Sequence, residues 1–149
     1  MRDCKDNNNN NNCNGNNNNN NNRDCRDNMK EFKNRAELEV ICEGQEHKVF
    51  SNTVEARKAD VRIHKSQGKR CFFEGDMIEY TIDICNASGF KLCGAKFIDK
   101  LPHGLRFVED SFRVNGHRKH AHFAHDTVEF ELGELDCGNT VITFCCRVM

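Results

Sequence analysis

The chain has 149 residues, 30% of them charged, with 22 basic side chains against 23 acidic ones. So even a balance excludes the basic field that nonspecific nucleic-acid or anionic-membrane binding requires. No apolar run approaches the roughly 20 residues that cross a bilayer as a helix, so no membrane insertion is expected, and Met1-Arg2-Asp3-Cys4-Lys5-Asp6 shows no apolar core of a secretory signal.

The first stretch, to Asn28, is of low complexity. Asn7 to Asn12 and Asn16 to Asn22 are pure asparagine, broken by Cys13-Asn14-Gly15. Such tracts bury nothing apolar and cannot offset their ordering entropy alone. Residues 1–34 are therefore read as an extended or disordered arm. It carries Cys4, Cys13 and Cys25, about ten residues apart. Some 20 extended residues reach up to about 65 Å, so the arm is read as a tether that brings thiols to a neighbouring subunit.

Residues 35–59 predict a hairpin. Ala36, Leu38, Val40 and Cys42 alternate with Glu37, Glu39, Ile41 and Glu43, Glu43-Gly44-Gln45-Glu46 turns the chain, and Phe50, Val54 and Ala56 mark the return. Residues 60–149 predict a β domain, opened by Val61 and Ile63. Ile78, Tyr80, Ile82 and Ile84 alternate with Glu79, Thr81, Asp83 and Cys85, the pattern of a half-buried strand. A turn at Asn86 to Gly89 leads to a second strand ending at Phe97 and Ile98. The last strand sets Ile142, Phe144, Cys146 and Val148 on one face and Val141, Thr143, Cys145 and Arg147 on the other. The class expected is all-β: a two-sheet antiparallel sandwich preceded by the Asn- and Cys-bearing arm. Leu38, Val40, Val54, Val61 and Ile63 are among the residues expected to face its core.

Several segments together resemble a bacterial immunoglobulin-like surface repeat, the family called domain of unknown function eleven. They are Gly75-Asp76 with Tyr80 and Asn86; Asp99-Lys100-Leu101-Pro102-His103-Gly104-Leu105-Arg106-Phe107-Val108; Ser111 to Gly116; Phe130-Glu131-Leu132-Gly133-Glu134-Leu135; and Val141 to Val148. Phe130 stands where the family usually has tryptophan. The resemblance spans Asp60 to Met149 and implies an immunoglobulin-like sandwich in a surface or fibre setting, with no common active site. Asn34-Arg35-Ala36-Glu37-Leu38 and Ser51-Asn52-Thr53-Val54 resemble the hairpin that closes one such repeat, yet here they precede the repeat. The hairpin is then expected either to fold back on its own domain or to complete another subunit by strand addition. The short joint at Ala59-Asp60 favours the second course, a head-to-tail contact that builds rings or filaments.

Ten cysteines in so small a chain point to disulfides and an oxidising setting. Without a visible signal peptide, the route expected is assembly inside a cell that later lyses, as for a spore coat or spore appendage. Cys4, Cys13, Cys25, Cys85 and Cys145 are assigned to cross-links between subunits, Cys85 and Cys145 because they fall on polar strand faces. Cys42, Cys71, Cys93, Cys137 and Cys146 are assigned to internal or buried positions. Cys85 and Cys93 bracket a turn and are a candidate pair.

No cofactor or metal site is expected. The chain has no C-x-x-C pair, and the nearest candidate ligands are His120 and His122, set two apart within the His-rich segment 117–125 beside Arg118 and Lys119. No G-x-S-x-G, Gly-rich phosphate loop or H-E-x-x-H occurs, so no enzyme is expected. Asn86-Ala87-Ser88 matches a glycosylation sequon that has no use without secretion. The function expected is that of a self-assembling fibre or spore-surface subunit, homo-oligomeric, joined by strand complementation and disulfides. The alternative is a surface module that binds a ligand or metal through segment 117–125.

Overall fold

The computed structural model describes residues 31–149, and the arm's Cys4, Cys13 and Cys25 lie outside the described residues. Eleven strands follow one another: β1 Glu31–Cys42, β2 Gln45–Arg57, β3 Val61–Gln67, β4 Met77–Asn86, β5 Leu92–Lys100, β6 Leu105–Phe107, β7 Arg113–Val114, β8 His117–Arg118, β9 His122–Ala124, β10 Thr127–Leu135 and β11 Gly138–Val148. A 3-10 turn, Glu109–Ser111, separates β6 from β7.

β3 to β11 form an all-β sandwich. One sheet runs β3-β4-β11-β7-β8, with β6 also paired to β11, and the other runs β5-β10-β9. Every strand pairing is antiparallel. The alternation read in the sequence sets the two inner faces. Ile78, Tyr80, Ile82 and Ile84 of β4 are buried, as are Ile142, Phe144 and Cys146 of β11. They meet Phe97, Leu101, Val128 and Leu135 from the facing sheet and its loops. Phe144 is the hub, with the rings of Tyr80, Phe97, Phe107 and Phe112 at 5.5–6.3 Å between centroids. Such ring contacts stabilise a core beyond the area they bury.

Turn chemistry supports the topology. Asn115-Gly116 joins β7 to β8 with both residues at positive φ, 50° and 80°. That is the backbone of a two-residue hairpin turn, which asparagine followed by glycine adopts at least cost. Ser111 bridges the gap the 3-10 turn leaves beside β11. Its hydroxyl accepts from the Cys145 N–H at 2.8 Å and donates to the Val108 carbonyl. The last strand is not at an edge: β11 lies between β4 on one side and β6 and β7 on the other, and Val148 exchanges backbone hydrogen bonds with Gly75 and Asp76.

Two sequence expectations need correcting. Leu38, Val40 and Val54 are not in the core: they belong to a separate two-stranded sheet, β1-β2, and are 60%, 39% and 56% exposed. Val61 and Ile63 do face the core side of their sheet but remain 45% and 65% exposed. Alternation identified their faces correctly. It could not show that no described residue covers them.

Candidate functional site: a bare hairpin and an open seam

The β1-β2 hairpin stands outside the sandwich. Its strands have 12 and 13 residues and turn through Glu43 and Gly44, both at positive φ. A bulge falls between Arg35 and Glu37. There the Ala36 N–H, displaced from the ladder, donates to Ser51 Oγ at 2.8 Å.

Cross-strand pairs share a face, and the register sorts the hairpin into two unlike surfaces. Leu38 opposes Val49, Asn34 opposes Val54 and Phe32 opposes Ala56 on one face. The other face is charged and satisfies itself. Lys48 reaches Glu37 at 3.0 Å and Glu39 at 3.7 Å, Lys33 reaches Glu55 at 3.5 Å, and Arg57 reaches Glu31 at 3.8 Å. The Arg35 guanidinium stacks over Phe50 at 4.1 Å. The apolar face has no such partner: Phe32 and Val49 are each 57% exposed. An isolated two-stranded hairpin is marginal in water, and this one leaves uncovered the face that could stabilise it.

The base of the hairpin is anchored. The Asp60 N–H donates to Ser88 Oγ at 2.7 Å, the Ala87 N–H donates to the Asp60 carbonyl at 2.8 Å, and Arg57 lies over the Phe90 ring. The Asn86-Ala87-Ser88 sequon is fully buried as part of this anchor, so the folded domain presents no glycan acceptor there.

The sandwich has a complementary deficiency. The register pairs Ile63 with Ile84 and Lys65 with Ile82, so both β3 side chains point toward the facing sheet. That sheet stops at β5, whose far edge has no strand partner among the described residues. β3 therefore overhangs. Lys65 closes part of the seam: Nζ bonds Asp99 Oδ2 on β5 and lies 4.3 Å from the centre of the Tyr80 ring. An inward-pointing charge is one of the devices that keep an open sheet edge from pairing indiscriminately.

The cysteines fall into distinct environments. Cys42, Cys71, Cys145 and Cys146 are free, whereas Cys85, Cys93 and Cys137 are engaged as disulfides. Cys42 and Cys71, expected inside, are exposed. Cys42 sits on the hairpin's apolar face, which covers nothing. Cys146 is buried, and burial above all pushes its thiol up to about 11, with Asp99 and Cys145 adding and Lys65 opposing. Cys145 is raised as well, first by burial and then by Glu79, with Arg113 opposing. Thiolate is the reactive form. At pH 8 we expect Cys146 to alkylate more than about tenfold slower than an ordinary thiol of pKa about 8.5, with Cys42 and Cys71 labelled first for their exposure; peptide mass spectrometry of iodoacetamide-treated native protein reads this order. The same shift favours the folded state only while the thiol is neutral. Its contribution is present below the unfolded pKa of about 8.5 and fades as pH rises toward about 11.

His120 and His122 line a shallow hollow with Lys96, Glu129, Phe130 and Glu131. Glu129 is already paired with Lys96 at 3.2 Å. No cluster of three metal-ligating side chains occurs among the described residues, nor does any helix there have the length and apolarity to cross a membrane.

No protein-family model, curated protein or solved structure matches the chain. The functional reading therefore rests on these surfaces.

Proposed function

We propose that this chain is a structural subunit that assembles head to tail with copies of itself into an extracellular fibre or spore-surface layer. The observation that carries the reading is the hairpin: a formed, self-neutralised charged face backed by an apolar face with nothing against it among the described residues. Strand addition by an amphipathic element gives main-chain hydrogen bonds and apolar burial together. A contact between two different surfaces of one subunit propagates instead of closing on itself as a dimer. The resemblance of residues 60–149 to a bacterial surface repeat supports the same setting.

Disulfides then lock the contacts. The exposed thiols of Cys42 and Cys71 join Cys4, Cys13, Cys25 and Cys145 as the groups suited to bond a neighbour, while Cys85 is the assigned cross-linking position already engaged. Electron microscopy of the purified protein with and without reductant tests the proposal. Filaments or rings should form in both conditions and resist dilution better without reductant. Single particles alone in both conditions sink it. A metal-binding reading has the hollow at His120 and His122, but no group of three side chains placed to hold a metal occurs among the described residues.

A further inference from the structure

We infer that Cys85, Cys93 and Cys137 take Cys4, Cys13 and Cys25 as their disulfide partners, so that the asparagine-rich arm is bonded to one end of its own sandwich. The inference concerns a single subunit and does not depend on assembly.

The count of cysteines is the first observation. The chain has ten. Cys85, Cys93 and Cys137 are engaged as disulfides, and Cys42, Cys71, Cys145 and Cys146 are free. Three is odd, so at least one bridge leaves the described residues, and only Cys4, Cys13 and Cys25 remain in the sequence to receive it.

Strand register extends this to all three. Disulfides span about 4.4–6.8 Å between Cα atoms. Cys85 opposes Asn139 across the β4-β11 ladder, and Cys137 stands two residues before Asn139, a diagonal of about 7–8 Å. Leu92 opposes Leu135 on the β5-β10 ladder. Cys93 lies one residue to one side of that pair and Cys137 two residues to the other, which sets them about 10 Å apart along the strands. Cys85 sits between buried Ile84 and Asn86 and so faces outward from its sheet. Cys93 belongs to the sheet across the core, at least about 10 Å away.

Topology brings the arm to these cysteines. They gather at one end of the sandwich, where the Asn86 side chain, next to Cys85, donates to the carbonyls of Phe90 and Leu135 on the approaches to Cys93 and Cys137. The arm joins the chain at the same end: Glu31 opposes Arg57 in the hairpin, and the Arg57 guanidinium lies 5.7 Å from the centre of the Phe90 ring. Cys25 is six residues before Glu31, a reach of up to about 20 Å, and Cys13 and Cys4 follow on longer tethers. Cys93 is exposed, and Cys85 and Cys137 are half-buried, so all three can be met from outside.

Each bridge forms by exchange with a low-molecular-weight disulfide. Two protein thiols give up their protons and two electrons, one S–S bond forms, and the small disulfide is reduced to two thiols. An arm held this way bonds a neighbour only by exchanging partners. Cys42, Cys71 and Cys145 are then the thiols first available between subunits.

Peptide mapping tests this on the full chain, refolded with oxidised glutathione, alkylated with N-ethylmaleimide and digested without reductant. Three linked peptide pairs are expected, each joining residues 1–30 to a peptide that holds Cys85, Cys93 or Cys137. When isotope-labelled and unlabelled chains are refolded together, every pair should be wholly labelled or wholly unlabelled. The full-length variant Cys4→Ser with Cys13→Ser and Cys25→Ser should gain maleimide at Cys85, Cys93 and Cys137, all of which stay blocked in wild type. Bridges among Cys85, Cys93 and Cys137 themselves, or the same three remaining blocked in the arm variant, overturn the inference. Pairs of mixed label put the bond between copies and overturn it as a bond within one chain. None of these readouts changes with whether subunits assemble, so failure here is separate from failure of the fibre reading.

Discussion

Phe144→Ala is expected to destabilise the domain by about 3–5 kcal/mol, the range for deleting a buried aromatic side chain. Phe144 is fully buried on β11, the strand that pairs with β4, β6 and β7. Its ring touches those of Tyr80, Phe97, Phe107 and Phe112. These come from both sheets and the loop that carries Phe112, so no single element can move in to fill the void. A small domain has about 5–15 kcal/mol in all, and this loss leaves a sizeable unfolded fraction. Urea unfolding by circular dichroism should show a lower midpoint with little change in slope. Phe144→Leu, which retains most of the volume, should recover over half of the loss. A loss below 1 kcal/mol for the alanine variant would show that the ring cluster is not the core's centre.

Most of that cluster was legible in the sequence, and the reason is local; Phe112, on a loop with no alternation around it, was not. Strict alternation over Ile78 to Ile84 and over Ile142 to Val148 places the inward residues without knowledge of any partner strand. The turn at Asn115-Gly116 lies in the segment Ser111 to Gly116 that carries the resemblance, and few residue pairs adopt its two positive φ values cheaply. Legibility failed at Leu38, Val40, Val54, Val61 and Ile63. Alternation says which face of a strand is apolar, but cover comes from elements distant in sequence or from another chain. The residues on which local pattern and burial disagree are the ones that define the hairpin and the seam. The cysteines were legible only in part. Opposite faces for Cys145 and Cys146 follow from the two-residue period, and the buried Cys146 with half-buried Cys145 reflects it. The exposure of Cys42 and Cys71 depends on tertiary cover, which spacing does not encode.

Asn86→Ala is expected to cost about 2–3 kcal/mol and to impair assembly more than that loss alone implies. The Asn86 side chain is fully buried and makes three hydrogen bonds. Its Nδ2 donates to the carbonyls of Phe90 and Leu135, each at 3.0 Å, and its Oδ1 accepts from the Ser88 N–H at 3.1 Å. Alanine leaves these groups buried and unpaired, at roughly 1–3 kcal/mol for each that water cannot reach. Asn86→Asp separates hydrogen bonding from shape. The carboxylate keeps the volume but faces two carbonyl oxygens, so burial and repulsion raise its pKa above the ordinary value of about 3.9. A raised acid pKa means that stability is retained below the unfolded value and lost as pH rises through the folded one. This variant should therefore be closest to wild type near pH 4 and weakest at neutral pH, a trend visible in melting temperatures between those limits. The consequence for assembly follows from Ser88, whose position Asn86 fixes and whose hydroxyl holds Asp60 at the foot of the hairpin. With that anchor loosened the hairpin loses its fixed direction, and the entropy of pointing it at a neighbour must be met anew in every contact. Filament yield should fall in Ser88→Ala as well, at a stability cost nearer 1 kcal/mol; equal yields for Ser88→Ala and wild type would show that the joint does not aim the hairpin.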